Sequence, residues 1–241
     1  MTTTVDEIAP DVFRISTYVA AAHLGFAQFL VRDEQPLLYH TGMSRLFADV
    51  HAAIARLIDP ATIHWIGFSH FEVDECGALN EWLAAAPNAV PVCSETCRLV
   101  DMGDYAARPA HGLADHETIA TGRHRLRFHQ TPHLPHGWEA GHLFDETTRT
   151  LFCSDILHQG GNRAALTRGD VVADARHALA AYEGTPLRGY VPLTSQTDRF
   201  LRELATLEPT ALATMHGSTY AGDGRAALLG YRDTLDELFA G

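Results

Sequence analysis

The stretch GFSHFEVDECGALN, residues 67–80, sets His70, Glu72, Asp74 and Glu75 within six positions, directly behind an apolar run. Polar groups crowded against buried chain are costly unless they are paired or bind something. All four side chains can hold a metal ion. Singly, each has a plain reading: a histidine tied to backbone, or a carboxylate on a wet loop. What decides between a site and a loop is whether the rest of the chain supplies partners.

On the N-terminal side, VFRIST, GFAQFLV and PLLYH read as strands, with residues 33–36 as a turn. Residues 44–58 carry apolar positions at helical spacing after a serine. TIHWIGFS then reads as a buried strand that delivers His70. On the C-terminal side, GALNEWLAAA is a helix stopped by Pro87, AVPVCS a strand, and SETCRLV the start of a helix. HRLRFHQT is a strand, HLFDETTRTLFCSD a hairpin ending in Asp155, and ALATMHG a strand ending in His216. Helices are expected over 171–182, 194–207 and 224–239. Strands, then a strand–helix alternation, then the same order again predict two sheets with helices packed outside. His70, His136, Asp155 and His216 each follow a predicted strand, where loops carry the polar groups that sheets cannot.

Composition bounds the function. The chain has 241 residues, enough for a sizeable core, with 46% hydrophobic and 20% charged residues. A net charge of −12 argues against nucleic acid and against an anionic membrane surface. MTTTVDEIAP has neither a basic segment nor an apolar core, so no secretory signal is expected, and no apolar run nears the ~20 residues of a spanning helix. Four Cys do not make a disulfide scaffold, which predicts a cytoplasmic protein. Fifteen His against 18 Lys plus Arg suit metal binding.

H-F-E-V-D-E, followed by His136, Asp155 and His216, resembles the metallo-β-lactamase fold, and within it the flavodiiron and oxygen-binding di-iron proteins. Hydrolases of that fold carry H-x-H-x-D-H, whereas Glu72 gives H-x-E-x-D here. The later steps fit as well: 62 residues from Asp74 to His136, 19 to Asp155 and 61 to His216. The resemblance covers nearly the whole chain. It implies an α/β fold, an αββα sandwich of two mixed sheets flanked by helices, as a single domain over 1–241. It further implies that His70, Glu72 and His136 hold one metal, Asp74 and His216 a second, and that Asp155 bridges both. The expected cofactor is two iron ions, oxo- or hydroxo-bridged, with zinc or manganese as alternatives; a carboxylate in place of an imidazole favours the harder ions.

Around that set, Glu75 stands where many relatives have a histidine. It is expected outside the ligands, as a cap of the following helix, where negative charge is stabilised, with ligation or a hydrogen bond from His216 as the alternatives. In TPHLPHGWEAGH the step to Asp155 selects His136, with His133 as the alternative, over His142. His23 and His158 are candidates for positions behind the ligands. Residues 101–122, with His111 and His116, read as a polar loop or a lid. Cys93 and Cys97 form a C-x3-C on an expected helix; without a second pair they read as small buried side chains rather than a metal site.

The expected function is a non-haem di-iron protein that binds or reduces O2 or NO. A flavodiiron protein would continue into a flavodoxin-like domain, whereas this chain ends at Gly241, so the resemblance implies an external flavoprotein or rubredoxin-type donor. A homodimer is the candidate oligomer. The rival readings are a di-metal hydrolase of ester, thioester or phosphodiester substrates, and a non-catalytic gas sensor.

Overall fold

The computed structural model describes residues 2–239. Alternating strands in the first part build one sheet: β1 (Thr3–Ala9), β2 (Val12–Val19), β3 (Leu24–Val31), β4 (Leu37–Tyr39), β5 (Trp65–Gly67), β6 (Val90–Ser94) and β7 (His111–Leu113), side by side in chain order. β1 to β4 pair antiparallel, and β4 to β7 parallel. The second sheet holds β8 (Thr118–Ala120), β9 (Arg125–Gln130), β10 (Gly141–Asp145), β11 (Thr150–Ser154), β12 (Leu166–Thr167), β13 (Ala211–Thr214) and β14 (Thr219–Ala221), in the order β12-β14-β13-β11-β10-β9-β8. It too is mixed, with β11 parallel to β13 and antiparallel to β10.

Period-2 alternation gives each sheet two apolar faces, and the buried residues sort accordingly into three layers. Phe29, Tyr39, Phe128 and Phe152 lie between the sheets. Outside the first sheet, Ile15, Leu30 and Ile66 pack on α1 (Phe47–Ile54) and α3 (Leu79–Ala85) through Ile54 and Trp82. Between these two helices lies the short α2 (Val73–Cys76), and after them α4 (Glu95–Cys97) and α5 (Gly103–Tyr105). Outside the second sheet, Leu151 and Leu212 pack on α6 (Val171–Tyr182), α7 (Thr197–Thr206) and α8 (Gly224–Phe239). The expected αββα sandwich of two mixed sheets is the observed one. No helix among the described residues is long and apolar enough to cross a membrane.

Several local expectations need correction. The helix over 44–58 is shorter: a 3-10 turn at Ser44–Leu46 precedes α1, and Asp59 starts a fresh turn by accepting from Ala61 N. The helix at 194–207 begins only at Thr197. Cys93 and Cys97 do not share a helix, because Cys93 lies in β6 and the Ser94 hydroxyl caps α4 by accepting from Cys97 N at 3.1 Å. All four Cys are free and buried. Residues 101–122 are not a plain loop: they supply an edge strand to each sheet, β7 and β8, and so carry the chain from one sheet to the other.

The strand ends converge at one edge of the sandwich. Ala27 N donates to Met215 O and Gly141 N to Ser69 O, hydrogen bonds that tie the sheets together beside the expected ligands.

Candidate metal centre

Four chain segments deliver the site. β5 ends at Gly67 and the loop turns His70 inward, 1% exposed. Glu72 occupies the N-cap of α2, which places Asp74 in its first turn. The loop between β9 and β10 brings His136. Ser154, at the end of β11, takes a left-handed conformation (φ 50°) and Asp155 follows it. His216 comes two residues after β13.

The structure brings the six expected ligands together. His70, Glu72, His136 and Asp155 each offer a donor atom within 4.8 Å of the others, and so do Asp74, Glu75 and His216. His136 Nε2 lies 3.3 Å from Glu72 Oε1 and 3.5 Å from Asp155 Oδ2. His70 Nε2 lies 3.7 Å from the same Asp155 oxygen. His216 Nε2 stands 3.2 Å from Asp155 Oδ1 and 3.2 Å from Asp74 Oδ2. Asp155 therefore turns one oxygen towards each group.

The imidazoles are held from behind. His216 Nδ1 donates to Gly25 O at 2.8 Å and His136 Nδ1 to Tyr190 O at 3.0 Å. A carbonyl only accepts, so in both rings the proton sits on Nδ1. His70 Nδ1 contacts Ser69 Oγ at 2.9 Å; that hydroxyl is itself 3.1 Å from His40 Nε2 and 2.6 Å from Ser154 Oγ. The Nε2 atoms of His70 and His136, one oxygen of Asp155 and both of Glu75 are buried without a hydrogen-bond partner. Bare ring nitrogens aimed at bare carboxylates repel unless something positive lies between them. This donor set fits a pair of metal ions, with backed imidazoles and a shared carboxylate.

Rings and carboxylates stand close enough to shift one another's protonation. With nothing between them, the facing His136 and His70 rings hold the Glu72 carboxyl down to about 2. Burial pushes Asp155 up, but the charges of His216, His70 and His136 outweigh it and hold the carboxyl far below its usual range. Burial lowers His216, yet Asp155 and Asp74 raise it to about 10. Burial, Asp155 and Asp74 push Glu75 well above the carboxylate range.

Glu75 does not cap α2. The cap position belongs to Glu72, and Glu75 sits inside the helix, fully buried, with its carboxylate turned to Asp74 and His216. Four-residue helices expose one side to the interior at each turn, and here that side faces the site. His133 is exposed and His142 bonds Thr131 Oγ1 at 2.9 Å; neither joins the two groups. His23 is exposed, in a left-handed position with its Nδ1 3.0 Å from the Tyr18 hydroxyl, and makes no described hydrogen bond or ion pair to the six residues. His158 lies behind His216, ring centroids 4.9 Å apart. His111 and His116 do not cover the centre: His111 bonds Glu117, and His116 pairs with Asp115.

Two tyrosines escaped the sequence reading. His158 Nε2 is 2.6 Å from the Tyr182 hydroxyl and its Nδ1 3.1 Å from that of Tyr190. Gln159 binds the Asp155 and His216 loops together, its backbone N donating to His216 O and its Oε1 accepting from Ser218 N. A Cβ at Gly217 (φ +120°) would meet that Gln159 side chain at 2.7 Å, which explains the glycine. The centre opens beside Glu72 into a cleft of about 240 Å³ lined also by Asp101, Trp138 and Glu139.

Residues 24–217 match the family model ODP family beta lactamase. The chain belongs to this ODP family. A rubredoxin-oxygen oxidoreductase from Megalodesulfovibrio gigas is 25% identical over 199 residues, covering 80% of this ODP-family chain and 48% of that protein. The chain thus spans about half the length of that relative. Among solved structures, the rubredoxin oxygen:oxidoreductase of Desulfovibrio gigas superposes with a TM-score of 0.81 at 19% identity, over 95% of this chain and 61% of the other. The flavodiiron protein of Giardia intestinalis gives 0.80 at 19%, over 98% and 60%. At these identities the superpositions speak for the fold, and they match it to flavodiiron metal domains.

Proposed function

We propose that this chain is a single metallo-β-lactamase-like domain that holds two iron ions and uses them on O2 or NO, with electrons from a separate donor. The observation that carries this reading is Glu72, a carboxylate in contact with His136 where the hydrolases resembled have an imidazole. His70, Glu72 and His136 would hold one ion, Asp74 and His216 the other, and Asp155 both. Glu75, from its position, would complete the second set. Oxygen-rich sets suit iron or manganese better than zinc. The chemistry such a pair supplies when bound is a reversible change of charge and open positions for a diatomic ligand.

The chain's own residues set the conditions. Gly25 O and Tyr190 O fix two rings so that their Nε2 lone pairs point inward. Ser69 does the same for His70 through its hydroxyl. Asp155 holds the two groups in register. The half-buried Tyr190 and the buried His158 pack behind the His136 and His216 rings, and the cleft beside Glu72 gives an approach. The similarity to a rubredoxin-oxygen oxidoreductase supports the same reading, and an external flavoprotein or rubredoxin-type protein is the proposed donor.

The test is metal analysis of protein from iron-supplied cells, followed by anaerobic spectra before and after O2 or NO. The reading expects two irons per chain, new near-ultraviolet and visible absorption on mixing, and no turnover with NADH until a donor protein is added. Zinc-containing protein that cleaves ester or phosphodiester substrates, with an iron form inert to both gases, would establish the hydrolase instead.

A further inference from the structure

On the other side of His216 from the cleft lies a second polar cavity with a charge problem of its own. Arg14, on β2, is 3% exposed. One terminal nitrogen donates to Gly217 O at 2.6 Å, and its Nε is buried with no partner. Asp6 faces it in the β1–β2 register, yet makes no ion pair with it among the described residues. A buried cation is normally balanced by a hydrogen-bonded anion, because desolvating an uncompensated charge is strongly unfavourable. Burial pushes the guanidinium down to about 10, with Asp6 opposing from a distance.

Arg14 does not look into solid protein. It lines a cavity of about 240 Å³ whose wall includes Gly25 and Gly217, the two backbone neighbours of His216. Ser16, Tyr18 and Asn162 line the same space. Arg163 stands there as well, anchored to Asp174 and to Gly160 O. The lining is donor-rich, and Asp6 supplies its carboxylate.

We propose that this cavity is a binding site for a small oxyanion, a phosphate or a carboxylate, seated on Arg14 and separate from the metal centre. The guanidinium is a planar array of donors that matches both anions, and its burial holds it ready without loss of side-chain freedom on binding. Asp6 competes with the ligand by repulsion and sets its affinity. Because the wall is built from Gly25 and Gly217, an occupant lies one residue from His216 and against the carbonyl that orients its ring.

Isothermal titration of the purified, metal-containing protein tests this, with inorganic phosphate in one arm and acetate in the other. One saturable event is expected, and the tighter probe identifies the class. Arg14→Gln should abolish it while metal content stays the same, which separates the site from anions bound at the metals. Asp6→Asn, which removes only the opposing charge, should tighten binding roughly three- to tenfold. It serves as the decisive variant should Arg14→Gln fold poorly. Failure of both probes to saturate at about 20 mM, in the range of weak sites, would overturn the proposal. So would binding that survives Arg14→Gln, or that ignores Asp6→Asn.

Discussion

Asp155 Oδ1 lies 3.2 Å from His216 Nε2 while the opposite ring nitrogen of His216 is committed to a backbone carbonyl. The other oxygen of Asp155 serves His70 and His136. One carboxylate thus reaches both groups, and Glu75 Oε2, 3.8 Å from His70 Nε2, is the other close approach between them. Asp155→Ala is expected to empty both metal positions together. Metal content by elemental analysis should fall from two per chain to none; retention of one ion would show that Asp155 does not bridge.

Glu75 separates two readings of the second group. Its oxygens are buried, unpartnered and grouped with Asp74 and His216. Glu75→Gln keeps the shape and removes the charge. The second ion should then bind about tenfold or more weakly, in line with the loss of a metal-directed carboxylate. The first should be retained through dialysis against a mild chelator. Equal retention of both ions would mean that Glu75 does not act on the metal.

Ser69 is expected to matter without touching a metal. Its hydroxyl meets His70, His40 and Ser154 at once. Ser69→Ala leaves the His70 Nδ1 proton with only the longer contact to Ser154 Oγ, 3.3 Å. Affinity at the first position should drop about tenfold. A circular dichroism spectrum unchanged from the parent would show the fold intact.

Far from the centre, His124 Nδ1 and Asp145 Oδ2 form a buried pair at 2.8 Å. The hydrogen bond to Asp145 raises His124 above the usual histidine range. Its stabilisation is therefore complete below the unfolded value near ~6.5 and is lost as pH rises through the raised folded value. For Asp145, burial pushes up, but His124 and Thr148 bring the carboxyl below its usual range, so that part is lost only in acid. His124→Gln should cost more stability at acidic-neutral pH than at pH ~9, by on the order of 1 kcal/mol. Urea midpoints at the two pH values measure the difference, and equal losses would refute the pairing.

How much of this was legible depends on what kind of force places each residue. His70, Asp155 and His216 follow closely on strands whose apolar runs are visible, so their convergence follows from the sheet pattern, while His136 stands in the loop between β9 and β10. The bounds of α6 and α8 agree with their helical spacing because propensity and burial coincide there. β1 was missed: its TTVDEIA is acidic and mostly half-exposed, held by pairing with β2 and by Ile8 and Val5 in the core. β7 and β8, of three residues each, exist because an edge was open, a tertiary reason that no local window contains. Glu75 was misjudged since a one-residue offset on a four-residue helix decides whether a carboxylate faces water or the site. Tyr190 and Tyr182 reach His158 around a stretch, 183–196, without periodicity. Arg14 sat unremarked inside a strand correctly read.

The bond from His216 Nδ1 to Gly25 O closes a span of 191 residues. Contacts so distant in sequence form only after the intervening chain has been ordered, because loop closure must come first. His70, Glu72 and Asp74 can meet early, being neighbours; the ring that faces Asp155 is oriented only when the end of β13 has met β3. On the proposed reading, metal acquisition would in consequence be a finishing event rather than a nucleating one. A nascent chain carries an acidic, incomplete half-site until residue 216 has been made, and a completed centre would act as a clasp across the seam between the sheets.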